Sequence, residues 1–331
     1  MINNAFFLFP GQGAQYSGMA LDLMDASSAF SGGTRVKRLF SLASEITGKD
    51  MAVVLGNSGP EILKRTDVSQ PVITLANLAA AAYLSEKGIK PAGCAGFSLG
   101  EYAALAVAGV ISEEDCFHLV TQRGKAMQAA VDQMEASGNA AGRTNVPGMA
   151  AVMGLAPEKV EALIAEWKAQ DNPGIRDLYA ANINSPKQTA VAGTAGALAN
   201  AEPLFIAAGA RRYLRLQVNC PFHTPLLTGA AEEFRPFLEK VSFRDPQIPL
   251  YSNVSGKLVP SGEEAKKLAL AQITSAVRWF YEEKAIDAAG GIDCLLETGP
   301  GSVLQGLWKD SGSTLPCYAA GTAADIDKLF E

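Results

Sequence analysis

Long apolar runs are absent from this chain of 331 residues, although 48% of its residues are hydrophobic. No stretch approaches the about 20 uninterrupted apolar residues that a membrane-spanning helix needs. No basic region precedes the apolar run at residues 5–9, and that run is too short for a secretion signal. We therefore expect a cytoplasmic protein without a membrane partner, with enough apolar residues to build one large domain or two.

Positive charge is also scarce. The chain carries 28 Lys and Arg against 34 Asp and Glu, a net charge of −6, which opposes binding to nucleic acid or to anionic membranes. A local basic patch could still bind an acidic protein. Outside residues 35–38, the densest such cluster is formed by Arg211, Arg212 and Arg215, for which a plain solvated surface is the alternative interpretation.

No residues typical of a metal or nucleotide cofactor are present. The five cysteines are scattered, with no metal-site spacing, at positions 94, 116, 220, 294 and 317; we expect reduced, mostly buried thiols. The glycine-rich loops at 10–15 and 298–302 have neither the Lys-Ser or Lys-Thr ending of a P-loop nor the pattern G-x-G-x-x-G. No cofactor, neither zinc nor nicotinamide nor flavin, is therefore expected.

Histidine is the scarcest chemically useful residue, because only His118 and His223 are present. A serine that needs a general base therefore has almost no choice. His118 lies in the helix-like segment 112–134, where a surface or packed histidine is the common interpretation. His223 lies between Pro221 and Pro225, on a turn after a strand-like segment, where α/β enzymes often place catalytic groups. A histidine that only caps the next helix is the alternative.

What the chain does contain is Gly-Phe-Ser-Leu-Gly at 96–100, between a strand-like run at 92–95 and a helix-like run at 102–110. This is the context of a nucleophile elbow, in which Gly96 and Gly100 permit a sharp turn and Ser98 stands exposed above the sheet. An ordinary Gly/Ser turn is the alternative. We predict that Ser98 pairs with His223. Cys220 lies close to that histidine but has no elbow, so we expect a packed thiol there.

No acid completes a conventional triad. Between the serine and the histidine the candidates include Asp132, Asp171 and Asp177, and none of them ends a clear strand beside a turn. The imidazole needs only an acceptor for its second N–H, which fixes its tautomer. A backbone carbonyl, or an acid outside the usual chain order, could provide that acceptor.

Two other glycine loops follow strand-like runs. The continuous apolar run at 5–9 is typical of a buried parallel strand and leads into Pro-Gly-Gln-Gly-Ala-Gln at 10–15. Residues 294–297 lead in the same way into Thr-Gly-Pro-Gly-Ser at 298–302. Such loops can present backbone N–H groups to an anion or a developing oxyanion, although an ordinary glycine turn is the simpler interpretation of each one alone.

The order of predicted elements indicates two domains. Strand and helix patterns alternate to about residue 130, as in βαβ units. The polar and small residues at 135–147 predict a mobile loop, and the β-α-β-β-α-β pattern after it is typical of a ferredoxin-like domain. We therefore predict a large α/β domain at 1–130 and 217–331 and an inserted ferredoxin-like domain at 131–216, with the ligand site in the cleft between them.

Seven segments, taken in order, resemble the malonyl-CoA:acyl-carrier-protein transacylases and the acyltransferase domains of polyketide and fatty-acid synthases. They are Phe-Pro-Gly-Gln-Gly-Ala-Gln at 9–15, Ser-Gln-Pro at 69–71, Gly-Phe-Ser-Leu-Gly-Glu-Tyr at 96–102, Gln-Arg-Gly-Lys-Ala-Met-Gln at 122–128, Asn-Ile-Asn-Ser-Pro at 182–186, Phe-His at 222–223 and Glu-Thr-Gly-Pro-Gly at 297–301. The resemblance covers nearly the whole chain. It implies an α/β-hydrolase-like fold for the large domain.

The resemblance also implies a role for individual residues. Ser98 would accept the acyl group and His223 would be its base. The partner of the histidine would be a main-chain carbonyl near Gln272, which would explain the missing acid. The backbone N–H groups of Leu99 and Gln12 would form the oxyanion hole.

Three further residues would contact the acyl group. Arg123 would pair with the free carboxylate of a malonyl group, because a planar guanidinium binds a carboxylate through two parallel hydrogen bonds; without the motif it would be taken for a helix-surface arginine. Phe97 departs from the family, which usually has histidine before the serine, so a larger apolar group replaces a polar one near the acyl pocket. Phe222 is similar to the malonyl-selecting form of the synthase domains.

The sequence thus predicts that a malonyl group passes from malonyl-CoA to the phosphopantetheine thiol of an acyl carrier protein, in fatty-acid or polyketide synthesis, by a ping-pong reaction through Ser98. One alternative is a hydrolase that clears acyl groups from carrier proteins, which the presence of Arg123 opposes. The other is a non-catalytic module that docks carrier proteins. Such a module would not need a serine and a histidine on preformed loops.

Overall fold

The computed structural model describes residues 4–29, 34–140, 146–170 and 172–331. A parallel sheet consists of strands β1 (Ala5–Phe9), β2 (Pro91–Gly96), β9 (Cys294–Glu297) and β10 (Cys317–Ala319). Their order across the sheet is β10-β9-β1-β2. Strand β1 is buried along its whole length, as its continuous apolar run predicts.

The register of these strands brings three loops together. Phe9 at the end of β1 pairs with Gly96 at the end of β2, and Leu8 pairs with Glu297 at the end of β9. The loops that follow β1, β2 and β9 therefore leave the sheet at one edge. Ligand sites of open α/β sheets form at this carboxyl-terminal edge.

Helices surround the sheet: α1 (Leu21–Ala26), α2 (Thr34–Thr47), α3 (Met51–Asn57), α4 (Pro60–Lys64), α5 (Thr66–Glu86), α6 (Gly100–Val107), α7 (Glu113–Ala140), α10 (Thr228–Lys240), α11 (Gly262–Ala271), α12 (Trp279–Ala289), α13 (Val303–Ser311) and α14 (Ala323–Asp327). Helix α5 is buried at Thr66 and at every residue from Val68 to Leu84. It is apolar on nearly all sides and therefore belongs to the core. It packs against α2, α6 and α7. A short hairpin, β7 (Tyr251–Ser252) with β8 (Lys257–Leu258), lies beside β2.

A second sheet is antiparallel and consists of β3 (Gly148–Met153), β4 (Leu178–Ser185), β5 (Gln188–Gly193) and β6 (Arg212–Arg215), in the order β4-β5-β3-β6. Helices α8 (Pro157–Ala169) and α9 (Ala195–Ala207) cover one face, where Trp167 and Phe205 lie edge to face with ring centroids 4.9 Å apart. The other face carries small buried side chains, among them Ala181 and Ala192, and Phe222 packs against it.

The prediction of a loop at 135–147 is wrong for the first part of this segment. Residues 135–140 complete α7, because each residue added to a helix that has already formed gains a backbone hydrogen bond, which offsets the low helix propensity of Gly138 and Asn139. Residues 141–145 lie outside the described part of the chain. The predicted domain limit at 130/131 consequently falls inside this helix. None of the helices in the described ranges is long and apolar enough to cross a membrane.

Candidate active site

The turn between β2 and α6 is as tight as its sequence predicts. Ser98 has φ 51°, the left-handed conformation that side chains rarely adopt. A Cβ on Gly96 would overlap the backbone of Gly100, and one on Gly100 would overlap the carbonyl of Phe9. Only glycine fits at both positions, and the serine is consequently held out of the helix that follows.

Ser98 and His223 are brought together. Ser98 Oγ lies 2.7 Å from His223 Nε2, and His223 Nδ1 lies 2.9 Å from the main-chain oxygen of Gln272. The carbonyl can only accept, so Nδ1 carries the proton and Nε2 is free to accept from the serine hydroxyl. The structure therefore places the partner of the histidine on the main chain at Gln272, as the resemblance implies.

The other titratable candidates lie elsewhere. Asp132 is on α7, where its carboxylate accepts from Gln128, and Asp177 precedes β4 in the second sheet; Asp171 lies outside the described residues. In the described ranges no carboxylate contacts the ring of His223. His118 is exposed on α7, which agrees with a surface histidine.

The environment of His223 keeps its ring neutral. Burial lowers the pKa of His223 to about 4, and the positive charge of Arg123 acts in the same direction. Hydrogen bonds to backbone groups of Gln272 and Ser275 raise the pKa, but by less than burial and Arg123 lower it. At neutral pH the imidazole is therefore able to take a proton from Ser98.

Arg123 is fully buried, so the interpretation of a helix-surface arginine is wrong. Its guanidinium donates to Gln70 Oε1 at 3.0 Å and to Gln272 Oε1 at 2.9 Å, and it lies 5.4 Å from the ring centroid of Tyr102. Among the described residues its Nε has no hydrogen-bond partner and no carboxylate forms an ion pair with it. A buried cation held by neutral amides retains strong affinity for an anion.

Two backbone N–H groups, one in the serine loop and one in the loop beside it, have no acceptor among the described residues. The N–H of Ser98 donates to Asn253 Oδ1 at 2.6 Å, whereas the N–H groups of Leu99 and Gln12 donate to no atom of the described residues. The loop of Gln12 packs closely on the elbow. The distance shows this at Gly11, where an added Cβ would lie 3.5 Å from the nitrogen of Leu99. This geometry suits an oxyanion hole made by the two loops.

Phe97 and Phe222 lie on two sides of the elbow. The Phe97 ring is half-buried and packs edge to face on Trp279, with centroids 5.5 Å apart. Phe222 is half-buried against the second sheet, next to Met149 and Ala181. Phe97 thus forms an aromatic pair with Trp279, and Ser98 and His223 remain in direct contact.

Sequence reasoning missed the polar groups behind the elbow. Asn253 and Glu282 are fully buried and hydrogen-bonded to each other at 2.7 Å, and Glu101 accepts from the backbone N–H of Asn253 at 3.3 Å. The signal available was Glu101 itself, because an acid inside an apolar helix implies buried polar partners. Nothing in the sequence identifies which residues those partners are.

Other candidates have a structural explanation. Cys220 is buried, which raises the pKa of its thiol and leaves it unreactive. Arg35 and Arg38 both form ion pairs with Glu113, at 2.8 Å. The arginines at 211, 212 and 215 are exposed on or beside the edge strand β6. In the ranges that the structure describes, no group of three or more His, Cys, Asp or Glu residues could hold a metal ion.

Comparison with known proteins identifies the family of the chain. A family model described as an acyl transferase domain matches residues 6–324. The malonyl CoA-acyl carrier protein transacylase of Escherichia coli (strain K12) is 36% identical over 326 residues, covering 98% of each chain. The protein of the same name from Bacillus subtilis (strain 168) is 32% identical over 325 residues, covering 98% of this chain and 96% of its own. A solved complex of a type II PKS acyl-carrier protein with its malonyl-transacylase matches with TM-score 0.85 and 34% identity, covering 98% of each chain.

Proposed function

The chain belongs to the acyl transferase domain family and is an acyltransferase, and we propose that it moves a malonyl group from malonyl-CoA to the phosphopantetheine thiol of an acyl carrier protein. The observation that carries the proposal is Arg123, a fully buried cation that forms no direct ion pair in the described structure, in the same site as the Ser98–His223 pair. The names of the relatives and the carrier-bound structural neighbour support this substrate pair.

In the first half of the proposed reaction, Ser98 Oγ attacks the thioester carbon of malonyl-CoA and gives its proton to His223 Nε2. The charge that develops on the carbonyl oxygen is stabilised by the N–H groups of Leu99 and Gln12. The carbon–sulfur bond then breaks, and the proton on His223 passes to the departing sulfur of CoA. Malonyl remains as an ester on Ser98.

The second half reverses these steps with a different thiol. The phosphopantetheine thiol gives its proton to His223 as its sulfur attacks the ester carbon. The carbon–oxygen bond breaks and Ser98 Oγ recovers the proton. Every bond and proton is accounted for by these groups and the two thiols, so the proposed reaction requires no cofactor.

Selection of the acyl group follows from the residues around Arg123. The malonyl carboxylate would accept from the guanidinium, which Gln70 and Gln272 hold in place. The rings of Phe97 and Phe222 would line the acyl site on its apolar sides. An acyl chain without a carboxylate would leave Arg123 buried without a directly bound anion, which is the physical argument against a hydrolase of stalled acyl groups.

We also propose that the chain consists of an α/β-hydrolase-like domain and an inserted ferredoxin-like domain, with the catalytic site in the cleft between them. The β-α-β-β-α-β order and the strand order β4-β5-β3-β6 support the insert. The predicted start of the insert at 131 lies inside α7, which runs unbroken to Ala140, so we place the start after that helix and keep the end at 216. The parts of the chain before and after the insert, predicted as 1–130 and 217–331, would form the larger domain, with α7 included in it.

Intact-mass analysis tests the function. The protein is incubated with malonyl-, methylmalonyl- and acetyl-CoA, and then with a carrier protein that bears phosphopantetheine. We expect a malonyl increment on the enzyme that disappears as the same increment appears on the carrier. Loss of the increment at the same rate without a carrier would indicate a hydrolase. Absence of any increment would indicate a docking module.

A further inference from the structure

We propose that Asn253 is a positioning residue for the nucleophile, and that Glu282 fixes the orientation of its side-chain amide. The inference rests on the role of Ser98 in the proposed function. Asn253 directly follows β7 and is fully buried, as is Glu282 on α12. Neither residue contacts Ser98 Oγ or His223 through a hydrogen bond in the described structure, and Asn253 meets the acyl site only through Gln272, whose side-chain N–H donates to its Oδ1 at 3.4 Å.

The amide of Asn253 spans the elbow. Its Oδ1 accepts from the N–H of Ser98 at 2.6 Å, and its Nδ2 donates to the carbonyl of Gly96 at 2.7 Å. One side chain thus joins the residues on either side of Phe97, across the sharpest part of the turn. Ser98 needs such support, because its φ of 51° persists in non-glycine residues only where the surrounding structure holds it.

The same contact also determines which N–H groups remain for an oxyanion. Asn253 accepts from the N–H of Ser98, whereas the next N–H in the chain, that of Leu99, has no acceptor in the described structure. A shift of this turn would move the serine oxygen and the Leu99 donor together. Misplacement of the reacting groups by about 1 Å can cost about 10²-fold in rate.

Glu282 determines which way the amide points. Its Oε1 accepts from Asn253 Nδ2 at 2.7 Å. If the amide were reversed, its oxygen would face two acceptors, Gly96 O and Glu282 Oε1, and its nitrogen would face the N–H of Ser98. Only the observed orientation satisfies all three contacts. Burial raises the pKa of Glu282 well above its ordinary range, so a neutral glutamine is a close substitute.

The first test is Asn253→Asp, which keeps the shape of the side chain and removes its two N–H donors. The rate of Ser98 acylation by malonyl-CoA is measured by rapid quench and intact mass over a range of concentrations. We expect a maximal rate about 10²-fold lower, with the half-saturating concentration unchanged. The control is Asn200→Asp, the same change at an exposed asparagine of α9 in the proposed insert. Acylation of Asn253→Asp as fast as the control would overturn the proposal.

The second test compares Glu282→Gln with Glu282→Leu. The amide oxygen of glutamine can still accept from Asn253, so this variant should acylate at the rate of the unmodified protein, whereas the leucine variant should be at least about tenfold slower. Equal rates in the two variants would remove Glu282 from the proposal. If Asn253→Asp does not fold, this pair decides the matter, because the hydrogen bond of Glu282 in the described structure is to Asn253.

The two proposals fail in different ways. If the unmodified protein gains no malonyl ester on Ser98, the proposed function is wrong. If it gains the ester and Asn253→Asp gains it equally fast, only the inference about Asn253 is wrong.

Discussion

Gln272 contacts Arg123 and His223 at once: its side-chain oxygen accepts from the Arg123 guanidinium at 2.9 Å, and its main-chain oxygen accepts from His223 Nδ1 at 2.9 Å. Its side-chain nitrogen donates to the carbonyl of Ser98, also at 2.9 Å. One residue therefore joins the guanidinium to the nucleophile and the base. In the proposed reaction, recognition of the acyl carboxylate and positioning of the reacting atoms would be coupled through it.

Arg123→Ala should reduce the preference for malonyl over acetyl groups. Charge-assisted hydrogen bonds contribute roughly 1.5–3 kcal/mol each, so kcat/KM for malonyl-CoA should fall by at least about tenfold. Acetyl-CoA has no second carboxylate, and its use should fall far less or rise, because no uncompensated charge remains buried. The measurement is the pair of acylation rates in both proteins. An unchanged malonyl-to-acetyl ratio would mean that Arg123 does not select the acyl group.

Ser98→Ala should abolish the malonyl increment in intact-mass analysis and leave the thermal unfolding transition nearly unchanged. The reason is that the hydroxyl is the only group removed, while the backbone contacts that hold the elbow remain. Peptide mapping locates any residual label. A persistent increment on Cys220 would show that the nucleophile is wrongly assigned.

His223→Ala should lower the acylation rate by about 10²–10⁴-fold, the usual contribution of a general base. His118→Ala serves as the control, because that side chain is exposed on α7 and should have little effect. Both rates are measured at saturating malonyl-CoA. Equal losses in the two variants would contradict the view of His118 as a surface residue.

The parallel sheet could be predicted from local sequence because its signals are local. The apolar run at 5–9 and the glycines at 96 and 100 each determine their own backbone, and the structure has a strand and a sharp turn there. The end of α7 could not be predicted in this way. Residues 135–140 have a loop-like composition. They are helical because the helix that precedes them continues through them.

The site shows the same division. Ser98 and His223 were identified because the elbow is a local motif and histidine is rare, and the carbonyl at Gln272 came from a family resemblance. Asn253 was missed because its role depends on contacts with Gly96 and with Glu282 that join distant parts of the chain. Such long-range contacts cannot be predicted from the periodicity or the motif spacing of a single sequence.

The pH dependence of serine reactivity should reflect a neutral imidazole. Because the pKa of His223 is lowered to about 4 by burial and by Arg123, the ring remains unprotonated from pH 8 down to about 5. Inactivation by a serine-directed sulfonyl fluoride, a reagent without an ionising acyl group, should therefore vary little over this range. A histidine with the ordinary pKa of about 6.5 would lose more than about tenfold in rate by pH 5. Such a loss would show that the ring is less buried than the structure indicates.

Glu283→Gln should stabilise the protein increasingly as the pH rises. Burial, together with the nearby charge of Asp310, raises the pKa of Glu283 to about 9, although the N–H of Trp279 donates to its carboxyl at 2.7 Å. Between the ordinary carboxyl pKa and about 9, the folded state thus holds a proton that the unfolded state has lost. The free energy of unfolding then falls as pH rises, by up to about 1.4 kcal/mol per pH unit. Glutamine cannot ionise and its oxygen can still accept from Trp279.

Denaturant unfolding at pH 6 and at pH 8 measures this effect. The free energy of unfolding of Glu283→Gln minus that of the unmodified protein should grow by about 1–3 kcal/mol between the two pH values. Glu233→Gln, the same change at an exposed position of α10, should show a difference that stays constant. If the difference for Glu283→Gln is also constant, the buried carboxyl ionises in the folded state as readily as in the unfolded chain. The packing of α12 around it would then have to admit water or a counter-charge that the described residues do not supply.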